Sequence, residues 1–528
     1  MALPTMGSVL FDAAVAIFAI VALNFYSRRI RLPPGPRGLP LVGNLLEFPT
    51  EYLWLTFAKW AARYGDIISV RVLGHRIIVL NSAHDVREIL FKRSTKTVGR
   101  MPVPMLEHHD GSAGWTHIAS VLPPDRFHIA KRFTTKALGP SALQRFANIE
   151  DEEVTACVRR ILTHSGSVAP TAYLRPMAGS TILRITYGYR ISTDDDSLVK
   201  IAEEALDIGL ALTAPGWIIN SIPWLRHMPD WMFGPQFVRY ISRAREVSRQ
   251  VQNIPVEWAR QQLAAGTAEP SLVADLFALP ENDDTRIMFG ALNELYAAAI
   301  DTVRVTVGAG ISIYSSQTVS ATTTLLLVLA LHPDVQAKAQ REVDSVTRGE
   351  RLPKDKDRPH MPYVTALIKE VFRYGGIANY GLPHRAIQNI EYKGYTIPED
   401  SIIFANIWAI LHDPMKYPEP FKFAPERFLE ENPSLEDGTS DADIVNEDPT
   451  RYIFGFGLRK CPGRHVADLM VFLVAAKVLA TCDVTCAVNE CGEPLTPESV
   501  KYSGGIISQP LPFKCTVHPR PNAAALLA

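Results

Sequence analysis

A chain of 528 residues with 47% hydrophobic content has ample apolar material for a large core, and its formal net charge of −1 gives no electrostatic basis for binding nucleic acid. Six cysteines, at 157, 461, 482, 486, 491 and 515, are too sparse for a disulfide scaffold and fit a reducing compartment. Cys482, Cys486 and Cys491 cluster, but without a fourth thiol or a nearby histidine they make a poor zinc site.

Residues 10–26 are apolar except for Asp12 and Asn24, about the minimum length for a membrane-spanning helix. No Lys or Arg precedes Arg28, whereas Arg28, Arg29 and Arg31 follow the stretch at once. That bias is expected of an uncleaved single-pass anchor, residues 1–31, with the following domain in the cytosol. Pro33-Pro-Gly-Pro36 opens a stiff hinge, residues 32–48, that can neither continue a helix nor join a sheet. Helical spacing over 54–64 and β-branched runs over 67–80 predict a helix and then short strands. Asp125-Arg-Phe-His-Ile-Ala-Lys131-Arg132 opens a basic helix. Residues 140–290 are mostly helical in pattern, broken by an aromatic and proline-rich patch at 217–233 whose rings are expected in the core.

Tyr296-Ala-Ala-Ala-Ile-Asp301-Thr302 places an acid beside an alcohol on a helical run. A hydroxyl that both donates and accepts, next to a carboxylate, can relay protons. The stretch after it, residues 303–317, is rich in Val, Ile, Gly and Ser and reads as strand or loop. With those residues removed, Asp301-Thr302 joins Thr318-Val-Ser-Ala-Thr-Thr-Thr and one continuous helix is restored. Valine codons begin GT and one glutamine codon is CAG, so the segment is compatible with a retained in-frame intron. Translated as helix, it would lengthen the rod by about 22 Å and turn the following face by about 60°.

Residues 361–374 have helical spacing and set Glu370 and Arg373 on one face at i and i+3. Gly381-Leu-Pro-His-Arg385 precedes a strand-like stretch at 391–397, and Ala424-Pro-Glu-Arg427-Phe428 follows. Phe454-Gly-Phe-Gly-Leu-Arg-Lys-Cys461-Pro-Gly463 then places one cysteine in a glycine-rich loop just before a helical run over 465–480. Close-approaching backbone N–H groups and a helix N-terminus should favour a thiolate there, and a thiolate is a soft metal ligand.

Phe454, Gly457, Arg459, Cys461 and Gly463 match every fixed position of the haem-binding loop of the cytochrome P-450 family, which the chain resembles over residues 30–515. The resemblance is nearest to fungal microsomal members of specialised metabolism, similar to O-methylsterigmatocystin oxidoreductase-like proteins. It implies a mainly α fold with small β-sheets, the cytochrome P-450 fold, with an N-terminal transmembrane helix and one catalytic domain over 49–528. It makes Cys461 the axial ligand of the iron of heme b (iron protoporphyrin IX), with Phe454 packed beside it and Arg459 on a propionate. Arg385 aligns with a second propionate-binding arginine. Glu370, Arg373 and Arg427 correspond to a structural triad behind the haem, and Asp301 and Thr302 to the acid–alcohol pair on its distal side. In the basic helix, Phe127 stands where the family has Trp and Lys131 where it has Arg. Phe127 cannot donate a hydrogen bond whereas Lys131 and Arg132 can, so either a weakened propionate clamp or a solvated basic face is expected. Gly375-Gly376 replaces a His-Pro pair and should loosen a segment bordering the substrate. Ala298, Ile377, Ala378, Tyr380, Gly505 and Ile506 fall at substrate-contacting positions, mostly apolar ones.

The resemblance therefore implies a monooxygenase that uses O2, takes electrons from NADPH through cytochrome P-450 reductase, with cytochrome b5 as a further partner, and oxidises an apolar small molecule at the endoplasmic reticulum membrane. A basic surface around Lys460 and Arg464 would meet the acidic reductase. The alternatives are a haem-thiolate isomerase or dehydratase that needs no external electrons, and an inactive product carrying residues 303–317.

Overall fold

The computed structural model describes residues 31–105, 122, 124–163, 166–191, 196–213, 217–299, 317–429, 445–505 and 507–528. Its helices, in chain order, include α1 (Leu53–Tyr64), α2 (Pro124–Ala137), α3 (Ala147–Thr163), α4 (Thr171–Tyr187), α5 (Ser197–Thr213), α6 (Pro235–Ala264), α7 (Asp283–Ala299), α8 (Gln317–Leu331), α9 (Pro333–Thr347), α10 (Pro362–Tyr374) and α11 (Arg464–Thr481). The main sheet contains β1 (Ile67–Val72), β2 (His75–Leu80), β3 (Gly99–Arg100), β4 (His384–Arg385) and β5 (Ile402–Ala405), ordered β1-β2-β5-β4-β3. A three-stranded and a two-stranded sheet complete the β content.

The expected helix over 54–64 begins one residue earlier, buries Trp54 and Phe57, and stops at Gly65, whose φ of 95° suits glycine alone. The predicted strands form an antiparallel hairpin with Ile67 opposite Leu80. β2 then pairs in parallel with β5, Ile77 opposite Ile402, and so ties the N-terminal lobe to a segment more than three hundred residues later. The proline hinge stays extended, and the Pro34 carbonyl accepts from the Ser69 amide at 2.9 Å. The predicted anchor and residues 300–316 lie outside the described residues. Among the described residues no single helix is long and apolar enough to cross a membrane. One bent pair, Gln317–Leu331 with Pro333–Thr347, meets the length and composition requirement with a 109° bend.

Two buried rods organise the core. α8 is buried from Val319 to Leu329, and α11 from Met470 to Thr481. Helices apolar on every side must be enclosed by protein, and these two pack on each other while α3 and α4 flank them. α11 matters most for the site, because the cysteine loop runs straight into its first turn.

Behind that loop, α10 packs on the short 3-10 turn Pro425–Phe428. Arg373 donates from Nε and Nη2 to the two Glu370 oxygens at 2.7 and 2.8 Å, and Arg427 Nε reaches Glu370 at 3.2 Å. The backbone amide of Ala424 donates to the same carboxylate, and Arg373 also donates to the carbonyls of Leu411 and Pro420. Every charge in this group is buried and hydrogen-bonded, the condition under which buried ions are tolerated. It locks a helix to a distant turn.

Gly375-Gly376 is tightly packed, contrary to the expectation of a loosened segment. A Cβ at Gly375 would stand 2.9 Å from the Val371 carbonyl oxygen and 3.0 Å from Thr324, and Gly376 has a φ of 53°. The glycines are what let this strap close on α8, and the following Ile377, Ala378 and Asn379 are all buried.

Candidate functional site

The cysteine loop is built from short-range backbone bonds. The Cys461 amide donates to the Phe454 carbonyl at 2.8 Å, and the amides of Gly455 and Arg459 donate to the carbonyls of Tyr452 and Phe456. Gly455 and Gly457 have φ of 75° and 52°, in the left-handed region that glycine occupies without strain. A Cβ on Gly457 would come within 2.5 Å of the Leu90 carbonyl oxygen, so this loop is pressed against the segment at 90–94. Phe454 is buried and meets Phe372 of α10 edge-on, with centroids 6.0 Å apart. Gly463 forms the N-cap of α11.

Cys461 lies deep inside the molecule but is not sealed by its neighbours. Burial pushes its thiol above the ordinary range, while the Gly463 amide, Lys131 and Arg464 pull it down. The loop and helix terminus therefore do favour a thiolate, but burial outweighs them. A metal cation reverses that balance, because a coordinating thiol is deprotonated outright.

Arg459 of the cysteine loop belongs to a group of buried basic residues. Arg459 donates from Nε to the Val98 carbonyl at 2.8 Å and from Nη2 to Leu122 at 3.0 Å, and its guanidinium lies 3.5 Å over the centre of the Phe127 ring. Phe127 thus takes the part of a cation–π floor rather than a hydrogen-bond donor. Arg100 donates to the carbonyls of Leu382 and Pro383 and, among the described residues, has no partner at Nε. Burial pushes Arg100 down to about 9, with Arg459 adding to the shift, and burial alone lowers Arg459, to about 10. Glu294 of α7 opposes both shifts. His384 is buried, with Nδ1 2.8 Å from the Thr97 carbonyl oxygen, and burial, then Arg100, holds it well below its ordinary range. Among the described residues, two depressed guanidiniums face one carboxylate, that of Glu294, a charge balance that suits a further anion.

The expected site residues divide on this geometry. Cys461, Phe454, Gly457, Arg459 and Gly463 are brought together in the loop and the helix start. Lys131 is half-buried and points at the loop, whereas Arg132, the next residue on α2, is exposed. Arg385 is part of an exposed ion pair, its Nε donating to Asp400 at 2.9 Å, and is not aimed at the buried cations. On a strand successive side chains face opposite ways, so the neighbour His384 is the inward residue. Tyr380 packs against Trp54 and Phe404, in the core of the N-terminal lobe. Asp301, Thr302 and Ile506 lie outside the described residues, as does the side chain of Ala298 at the end of α7.

The family model described as Cytochrome P450 matches residues 33–517. The chain belongs to the cytochrome P450 family. It is 34% identical over 517 residues to cytochrome P450 monooxygenase 208 of Postia placenta, covering 97% of this chain and 95% of that one. It is also 34% identical to cytochrome P450 monooxygenase claR of Ampulloclitocybe clavipes over 97% of this chain and 91% of the relative, and to cytochrome P450 monooxygenase COX1 of Coprinopsis cinerea over 98% of both. P450 proteins are oxidoreductases that hold haem and use O2 with electrons supplied by a reductase. The site of this P450 fits that group: one deep thiol for the iron, and the buried guanidiniums of Arg459 and Arg100 as the cations and donors that two propionates need.

Arg100 and His384 were not among the residues singled out in the sequence. Arg100 belongs to no motif. His384 was passed over for the adjacent arginine, since a two-residue strand shows no periodicity from which to tell inside from outside. What joins them is register: Arg100 lies opposite His384 across β3 and β4.

Proposed function

We propose that this P450 is a haem-thiolate monooxygenase that oxidises an apolar small molecule in fungal secondary metabolism, with NADPH-cytochrome P450 reductase as its electron source. The observation that carries the reading is the deep thiol of Cys461 in its glycine-rich loop, with Lys131 and Arg464 acting on it and the buried guanidinium of Arg459 two residues before it. Cys461 would hold the iron of haem b, and Arg459 and Arg100 would neutralise and orient its propionates, with the imidazole of His384 packed beside them. Bound haem supplies oxygen activation, which thiolate ligation favours by donating electron density to the iron. Phe454, buried beside the loop, would pack by the sulfur and keep water from it. Asp301 and Thr302 would hold and pass a proton at the distal side, the carboxylate taking it in and the hydroxyl handing it on. Apolar Ile377 and Ala378 would border the substrate. The arginines after residue 27 would fix an anchor in the endoplasmic reticulum membrane with the catalytic domain in the cytosol, and cytochrome b5 is a second redox partner of matching chemistry.

The reduced, carbon-monoxide-bound spectrum tests this. A band near about 450 nm is expected of the thiolate-ligated form. Its absence in both the full chain and a chain lacking residues 303–317 would sink the assignment of Cys461. Turnover that requires no NADPH would instead favour an isomerase or dehydratase.

A further inference from the structure

The side chain of Lys131 is used in a way its position in the basic helix did not suggest. Nζ donates to the backbone carbonyl of Lys460 at 2.6 Å, a bond between residues 329 apart in sequence that ends one residue before Cys461. Apart from Cys461, the charges acting on Lys131 are cationic: Arg464, Lys460 and Arg459 oppose its own charge, and Cys461 favours it. Among the described residues no carboxylate is paired with it. A half-buried ammonium in such company is stabilised by one nearby anion, the sulfur when ionised. The loop it grips is also held by its own short-range bonds, by Arg464, which donates to the Cys461 carbonyl at 3.3 Å, and by Arg459 on the carbonyls of Val98 and Leu122.

We propose that Lys131 is a positioning residue for the proximal thiolate, clamping the Lys460 carbonyl so that α2 fixes the cysteine loop, and holding a positive charge at the peptide that precedes Cys461. The inference rests on the haem-thiolate reading and deepens it, since the aligned residue was expected on a propionate instead. Two consequences follow from the chemistry. A cation near the iron–sulfur pair stabilises the reduced, more negative state, so removing it lowers the reduction potential. Freeing the Lys460 carbonyl loosens the loop, so the sulfur is more easily lost as a ligand.

The test uses the full chain with haem and the substitutions Lys131→Gln, Lys131→Met and Lys131→Arg. Haem content, reduction potential and the rate at which the 450 nm form converts to the inactive form near 420 nm are measured for each. The Gln and Met variants are expected to retain the parent's haem content, to titrate at a lower potential and to convert severalfold faster; Lys131→Arg, which keeps charge and donor, recovers both. Unchanged potential and conversion would overturn the proposal, as would loss of haem with an unchanged potential in what remains, the pattern of a propionate clamp. Failure of the Gln and Met variants to fold while Lys131→Arg behaves as parent would reduce the residue to a packing role. A parent with no 450 nm band defeats the haem-thiolate reading, and this inference with it.

Discussion

α11 and α8 are both buried apolar rods, yet they meet the site in different ways. α11 is entered directly from the cysteine loop, with Cys461, Gly463 and the first helical turn contiguous in chain and in space. α8 begins at Gln317, the last residue of the segment that interrupts the sequence pattern, while α7 ends at Ala299, just short of Asp301-Thr302. The proximal side is therefore specified by a dense local motif that tolerates whatever happens elsewhere. The distal side depends on one long helix keeping its phase across the site, and a segment inserted there acts on every residue beyond it.

The strongest way to break the comparison is to remove the proximal ligand. Cys461→Ser should abolish the 450 nm band and turnover together, whatever the state of the distal helix, as read by the reduced carbon-monoxide spectrum. Deleting residues 303–317 is next: it should raise substrate-dependent NADPH oxidation by about 10²-fold or more, the scale of a restored proton relay, while leaving the band position unchanged. Equal gains in haem binding and turnover would show that the insert disturbs both faces.

Glu370→Gln strips the counter-charge from two buried guanidiniums and should cost about 3 to 5 kcal/mol in urea unfolding, with no direct effect on the chemistry of the folded fraction. Replacing Arg100 by Leu should weaken haem retention by about 1.5 to 3 kcal/mol, the value of a charge-assisted hydrogen bond, in competition with apomyoglobin. Arg385→Ala, which breaks an exposed pair with Asp400, should change the same measurement by less than about 1 kcal/mol. Equal effects at 100 and 385 would refute the assignment of the inner face. The smallest change is Phe127→Trp: a better cation–π surface under Arg459 should gain about 0.5 to 1 kcal/mol in haem retention.

Much of this was legible in the letters. The loop, the Glu370-Arg373 spacing and the Pro-Glu-Arg-Phe turn are each short, and short motifs survive as patterns because neighbours in sequence are neighbours in space. The helix starting near 53, the hairpin over 67–80 and the resumption of helix near 318 were legible for the same reason, since each is set by local periodicity. Other features were not legible: the inward side of the strand at His384, the Phe127 floor under Arg459, and the close packing of Gly375-Gly376.

By itself, then, the sequence determined the family and the triad and singled out the candidate ligand, because the chemistry that each needs is carried by a few residues at fixed local spacing. Tertiary structure alone decided which cations face the buried site. The pairing of β3 with β4 brings Arg100 beside His384, and the docking of α2 on the loop brings Phe127 under Arg459 and Lys131 onto the carbonyl before Cys461. Burial then sets their charge balance, and burial is a property of the assembled chain.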